Sequence, residues 1–381
     1  MTAADSGPSV AGPSVAGPSV AGSTLAEPEV SEPEVVFALR GQLGEIALNR
    51  PRAINALTHG MVTLIRRQLD EWAAAPDVAT VVLVGRGERG LCAGGDIVSL
   101  YNDATTGDGR ASLAFWADEY ALNAAIARFP KPYVALMDGI VLGGGIGLSA
   151  HGSHRIVTER SKLGLPETGI GFIPDVGATW LLSRAPGRLG THLALTAGTV
   201  RAGDAIEVGL ADSYVPSERL PDLLVALETT DADAAIALFS VTPPDSELAA
   251  DRGWIDAAYA ADTVPGILAR LRADPSNEKA LATASTIERK SPIAVAVSLE
   301  SLDRAAALPD LESALEQEFR VSANALTSHD FAEGVRAQVI DKDRNPQWEP
   351  RSASEVSQAQ IDAYFAAATW PEPVDGSEPP N

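Results

Sequence analysis

Two carboxylates, Glu167 and Asp175, stand eight residues apart in the segment Leu165-Pro-Glu-Thr-Gly-Ile-Gly-Phe-Ile-Pro-Asp-Val-Gly177. Surface acids rarely sit among so many apolar residues, and the Gly and Pro residues give the loop a defined shape. Such a loop can bring both acids into one cavity. Paired carboxylates in an apolar pocket divide the roles of acid, base and nucleophile between them. A solvated loop carrying two unrelated charges would fit the same residues.

Two glycine-rich turns offer complementary chemistry, Leu91-Cys-Ala-Gly-Gly-Asp96 and Leu142-Gly-Gly-Gly-Ile-Gly147. Each follows an apolar run and opens into a predicted helix. Small residues at such turns leave backbone N–H groups uncovered at a positive helix terminus. Two N–H groups aimed at one point would form an oxyanion hole for a thioester carbonyl. Tight turns needed only for packing would look the same. Gly145-Ile-Gly-Leu-Ser-Ala also matches a loose dinucleotide-binding pattern, but no second mononucleotide half follows it. His151 and His154 could share a helix face, yet a pair without a third ligand nearby is more often structural. The sequence has no Gly-x-Ser-x-Gly elbow, His-Glu-x-x-His motif or Walker loop.

The elements that must position these residues can be read from periodicity. Val35–Arg40 and Gly44–Leu48 look like a hairpin with Gly41 in its turn. Thr58 can cap a helix running to about Ala74, with Met61, Leu64, Ile65 and Leu69 on one face. Thr80–Gly85 and Tyr133–Met137 are continuous apolar runs, as expected of strands buried on both sides. A loop from Arg86 to Asp96 and a helix over about Ala111–Arg128 lie between them. Recurring strand–strand–helix units predict an α/β protein of stacked turns and not a single Rossmann sheet. After Asp212 helical spacing dominates, near Leu220–Leu227, Val264–Leu271 and Leu311–Leu326.

The predicted organisation is a tail over 1–34, an α/β core over 35–215, a mainly helical region over 216–365 packing on that core, and a flexible acidic tail over 366–381. The first tail repeats Gly-Pro-Ser-Val-Ala three times, with too little apolar surface to offset chain entropy. The 381 residues are 45% apolar, enough for a sizeable core. A formal charge of −22 argues against nucleic acid or anionic membrane as a partner. A phosphorylated ligand would therefore need basic residues gathered at one spot. Cys92 is the one cysteine, which excludes an internal disulfide and a multi-cysteine metal site. With an acidic N-terminus lacking a targeting signal, it points to a reducing, cytoplasmic setting.

Leu48-Asn-Arg-Pro with Asn55-Ala-Leu, Cys92-Ala-Gly-Gly-Asp, the Gly143–Gly145 run and Pro166-Glu occur in the order seen across the crotonase (enoyl-CoA hydratase/isomerase) superfamily. The chain resembles that superfamily from about Val35 to Tyr364. Gly143–Gly152, Pro166–Gly177 and His329–Ala337 with Ile340-Asp-Lys-Asp are similar to its 3-hydroxyisobutyryl-CoA hydrolase pattern. The resemblance implies a crotonase-type spiral of stacked β-β-α turns followed by a helical C-terminal region. It implies that Ala93 and Gly144 supply the oxyanion N–H groups, with Gly94 and Gly143 lining the substrate. Glu167 would be the catalytic carboxylate, Asp175 its partner near the acyl group, and Glu119 a substrate-contacting acid. Hydratases carry a second glutamate where this chain has Gly147, so hydration of a double bond is not expected.

The implied reaction is hydrolysis of a short branched β-hydroxyacyl-CoA, 3-hydroxyisobutyryl-CoA in valine breakdown, with no metal or redox cofactor; coenzyme A arrives with the substrate. Attack by Glu167 to give a mixed anhydride and activation of water by Glu167 both fit. Another acyl-CoA activity of the superfamily and a non-catalytic CoA-ester-binding protein are the alternatives. The oligomeric state is left open, a homo-oligomer included.

Overall fold

The computed structural model describes residues 32–368. Most of the predicted N-terminal tail and the residues from 369 onward lie outside that range. Glu34, at the end of the predicted tail, is tied to the folded chain. Its carbonyl accepts from the Asn49 N–H at 2.7 Å, and its carboxylate meets Arg50 and the Thr58 hydroxyl.

Among the described residues, ten strands form two sheets: β1 Val35–Arg40, β2 Leu43–Leu48, β3 Thr80–Gly85, β4 Gly90–Cys92, β5 Tyr133–Met137, β6 Ile140–Leu142, β7 His154–Val157, β8 Lys162–Gly164, β9 Thr199–Val200 and β10 Ser213–Tyr214. One sheet has the order β1-β2-β3-β5-β7-β10 and the other β4-β6-β8-β9. The pairs β3/β4, β5/β6 and β7/β8 each step from the first sheet to the second, and helical turns then lead back. Three β-β-α units stacked this way make the spiral. Apart from the β1–β2 hairpin and the β8–β9 pair, the ladders are parallel. Gly41 turns the hairpin at φ +59°, a conformation open to glycine at little cost.

Thr58 caps the helix His59–Ala74 by accepting from the Met61 N–H. The buried face is Met61, Val62, Ile65, Leu69 and Trp72, whereas Leu64 is 37% exposed. Leu64 was placed one position off the stripe, because 61, 65 and 69 define the face and 64 lies at its edge. The expected loop 86–96 contains β4. Three residues are too few to show a period, and the strand exists by pairing with the distant β6.

The C-terminal half is helical, including Val264–Leu271, Pro292–Ala305 and Leu311–Leu326. One buried apolar cluster runs from Val35 through Ile146 and Phe172 to Phe319 and Val335. Sheet region and helical region thus share a core.

Candidate active site

Polar residues set the position of the first glycine turn. Asn55, fully buried and at φ +54°, donates to the carbonyls of Arg86, Gly90 and Leu91 and accepts from the Arg50 N–H. This pins β4 and the residues after it. The Ala93 N–H donates to the Ile54 carbonyl at 2.9 Å, so it is committed and is not the expected oxyanion donor. At Gly95 the backbone turns over: Leu57 N–H donates to the Gly94 carbonyl and Asp96 N–H to the Leu57 carbonyl. That pattern leaves the Gly95 N–H on the opposite side, with no acceptor among the described residues. Gly94 joins the two turns, since a Cβ on it would lie 3.4 Å from the Leu142 carbonyl oxygen and 3.8 Å from the Gly144 nitrogen.

The second turn supplies the facing donor. Gly143 donates to the Gly164 carbonyl, and Gly144 opens the short helix Gly144–Ser149, whose first N–H groups have no intrahelical acceptor. A Cβ on Gly144 would stand 3.4 Å from the Gly95 nitrogen and 2.5 Å from Glu119 Oε1. On Gly143 it would stand 2.9 Å from Glu167 Oε1. The absence of side chains here lets two carboxylates approach two N–H groups.

Glu119, Glu167 and Asp175 are 2%, 6% and 6% exposed, so none is a surface charge. Glu119 comes from the helix Arg110–Ala127, Glu167 opens the 3₁₀ turn Glu167–Ile170, and Asp175 follows Pro174. Glu119 Oε1 and Glu167 Oε2 are buried without a hydrogen-bond partner. No ion pair reaches the three acids among the described residues. Burial therefore pushes the Glu119 and Glu167 carboxyls well above the ordinary range, and the charge of Asp175 pushes both further. Burial raises Asp175 to about 7 against the pull of the Tyr120 hydroxyl, which donates to its Oδ2 at 2.7 Å. Three buried acids whose carboxyls are all pushed upward cannot all ionise near neutral pH.

Sequence reasoning missed the residues that hold the acids in place. Tyr120 also meets the Ser322 hydroxyl at 2.8 Å. Glu318 accepts from the Gly177 and Thr179 N–H groups and fixes the turn after Asp175. Val176 sits at φ +57°, rare for a β-branched residue, and its carbonyl accepts from His151 Nε2. Burial pushes the His151 imidazole down to about 4, so the ring is neutral and Nε2 carries the proton. His154 turns away to Asp233. Asn123 is packed against Gly147, where a Cβ would lie 2.7 Å from its Nδ2. A signal for Glu119 and Glu318 was present, since each stands on the apolar face of its helix.

A cleft of about 180 Å³ bounded by Leu57, Asp96 and Phe115 opens beside Gly95. The enoyl-CoA hydratase/isomerase family profile matches residues 43–365. The chain belongs to that family. Within it, the chain is 38% identical to the mitochondrial 3-hydroxyisobutyryl-CoA hydrolase of Xenopus tropicalis, over 86% of this chain and 87% of that protein. The human protein of that name is 36% identical over 87% and 88%. Among solved structures, a carnitinyl-CoA dehydratase from Mycobacterium thermoresistibile superposes with a TM-score of 0.87 at 49% identity, covering 91% of this chain and all of that one. An enoyl-CoA hydratase from Rhodobacter sphaeroides gives 0.83 at 41%, covering 88% and 97%. The hydrolases are named as mitochondrial, which contradicts the cytoplasmic setting expected from the sequence. A single free cysteine reports a reducing environment and does not distinguish one compartment from another.

Proposed function

We propose that the chain hydrolyses a short branched β-hydroxyacyl-CoA thioester, with 3-hydroxyisobutyryl-CoA of valine breakdown as the substrate. The observation that carries this reading is the meeting of two uncommitted N–H groups, on Gly95 and Gly144, with the Glu167 carboxylate. The thioester carbonyl takes both N–H groups, and the charge that grows on its oxygen is stabilised there. Glu167 either attacks the carbonyl carbon, expelling CoA thiolate and leaving a mixed anhydride for water to open, or draws the proton from an attacking water. In both routes a proton held by Glu119, whose carboxyl burial pushes upward, can neutralise the departing thiolate. Asp175 accepts a hydrogen bond from the substrate hydroxyl, which gives the spare carboxylate a purpose. Coenzyme A is part of the substrate, and no step calls for a metal or redox group.

A second reading has support in the names of the similar solved structures: addition or removal of water at the β-carbon. That chemistry, in the hydratase pattern, uses a second glutamate at the position of Gly147, and Asn123 fills the space beside it. Hydrolysis needs no such group. Glu167→Gln tests the proposal: it keeps the shape and removes both nucleophile and base. Thiol release should nearly vanish while CoA esters still bind. Wild-type rates of thiol release in the folded variant would remove Glu167 from the reaction.

A further inference from the structure

A cavity of about 430 Å³ is lined by none of the three carboxylates and shares no lining residue with the cleft beside Gly95. Its walls are the helix Val264–Leu271, the start of the helix Pro292–Ala305 and the turn Ala353–Glu355. That volume falls in the range of small-molecule sites. Val264, Leu268, Ile287 and Val295 give it an apolar floor.

Its charge is unusual for this protein. The chain has 51 acids against 29 lysines and arginines, yet the cavity is lined by Lys290, Arg272 and Arg351 with one acid, Glu288. Glu288 is engaged by Arg272. Lys290 is half-buried, and its ammonium has neither acidic partner nor hydrogen-bond acceptor among the described residues. Burial and the like charge of Arg289 both disfavour its charged form. Arg351, exposed at the rim, also has no acidic partner among the described residues. Cations drawn partly out of water are costly unless a counter-charge is supplied. Lys290 is such a group, half-buried and unpaired over an apolar cavity in a chain of net charge −22.

We propose that this cavity binds a small organic anion, a carboxylate or phosphate ester with a short apolar body. Its charge rests on Lys290 and Arg351, and its body lies against Leu268 and Val295. The site adjoins the catalytic turn. The Ser291 N–H donates to the Thr168 carbonyl at 3.1 Å, and Lys290 Nζ is 3.8 Å from where a Gly169 Cβ would stand. The proposal does not depend on which acyl-CoA reaction the carboxylates perform.

Calorimetric titration of the full chain with hexanoate, hexyl phosphate and neutral hexanol tests it. One of the two anions should bind saturably at one site, and which one binds tells the carboxylate from the phosphate class. Lys290→Met and Arg351→Met should each weaken that binding about tenfold or more, the scale of one charge-assisted hydrogen bond. Saturating CoA should leave it unchanged. Equal binding of hexanol, no saturable binding of either anion, affinity retained in both folded variants, or displacement by CoA would each overturn the proposal.

Discussion

The Tyr120 hydroxyl donates to Asp175 Oδ2 at 2.7 Å, across 55 residues of sequence, and joins a helix of the spiral to the loop that carries Glu167 and Asp175. Tyr120 is next in sequence to Glu119, so the same helical turn presents one acid and restrains another. The bond opposes the rise that burial imposes on Asp175. Tyr120→Phe should therefore leave Asp175 protonated to higher pH. On the proposed role of Asp175, kcat/KM for 3-hydroxyisobutyryl-CoA should fall about tenfold or more, the scale of a hydrogen bond to a charged group. The pH–rate limb belonging to Asp175 should move upward from about 7. An unmoved limb would mean that Asp175 does not titrate in turnover.

The oxyanion donors can be separated by backbone chemistry. Glycolate incorporated at position 95 replaces the amide N–H by an ester oxygen, and also weakens the Gly94 carbonyl as acceptor for the Leu57 N–H. It should lower kcat by about 10²–10³-fold, as expected for one lost oxyanion donor. The lactate replacement at position 93 breaks the bond to the Ile54 carbonyl, and should lower the melting temperature while sparing kcat. The opposite pattern would return the donor to Ala93.

Gly144→Ala tests the facing donor with an ordinary substitution. Its Cβ would sit 2.5 Å from Glu119 Oε1, so the acid and the N–H must part. Turnover should fall by about 10²-fold with the fold kept. Unchanged turnover would show that Glu119 retreats without cost and that its approach to Gly144 is not needed.

Glu119 also makes a thermodynamic prediction with a definite sign. Its folded carboxyl titrates well above the ordinary value of 4.5, because of burial and then the charge of Asp175. Between those two values the unfolded chain gives up a proton that the folded chain keeps, so stability falls as pH rises. Each unit of separation is worth about 1.4 kcal/mol. Glu119→Gln removes that slope, so its melting temperature should gain on the unmodified protein as pH rises from 5 toward 8. A gain that is constant with pH would place the titration elsewhere.

The N-terminal segment should divide at Glu34. Removal of residues 1–31, which carry the Gly-Pro-Ser-Val-Ala repeat, should leave melting temperature and turnover unchanged. Removal through Glu34 also takes away its bonds to Asn49, Arg50 and Thr58, and should cost about 1 kcal/mol, the scale of a weakened helix cap with a partly exposed ion pair. Equal stability of the two truncations would make the Glu34 contacts inconsequential.

Much of this architecture was legible in the chain. Thr58 as a cap, the runs at Thr80 and Tyr133 and the Gly143–Gly145 turn are local signals, and their elements formed where periodicity put them. Strand β4 was not legible, because its only reason to exist is a neighbour some fifty residues on. The turns were recognisable as a source of N–H groups, but which N–H remains uncommitted depends on Ile54, whose carbonyl takes that of Ala93. Tyr120 and Ser322 escaped for a similar reason. Each acts through a partner more than fifty residues away, and no spacing rule reaches that far.

A spare carboxylate is explicable if it recognises a hydroxyl. Without the substrate hydroxyl, Asp175 is left buried and short of a partner, which is costly. Isobutyryl-CoA should be about 10²-fold poorer than 3-hydroxyisobutyryl-CoA in kcat/KM, and Asp175→Asn should narrow that gap. Proportional slowing of both esters in the variant would reduce Asp175 to a brace for its loop.

The central claim is thioester hydrolysis by a site that lacks the second glutamate of a hydratase. Free-thiol release from 3-hydroxyisobutyryl-CoA, measured beside loss of the conjugated double bond of crotonyl-CoA, tests it most directly. The expected result is rapid release of CoA from the first ester and no appreciable hydration of the second. Rapid hydration of crotonyl-CoA without thiol release from 3-hydroxyisobutyryl-CoA would contradict it.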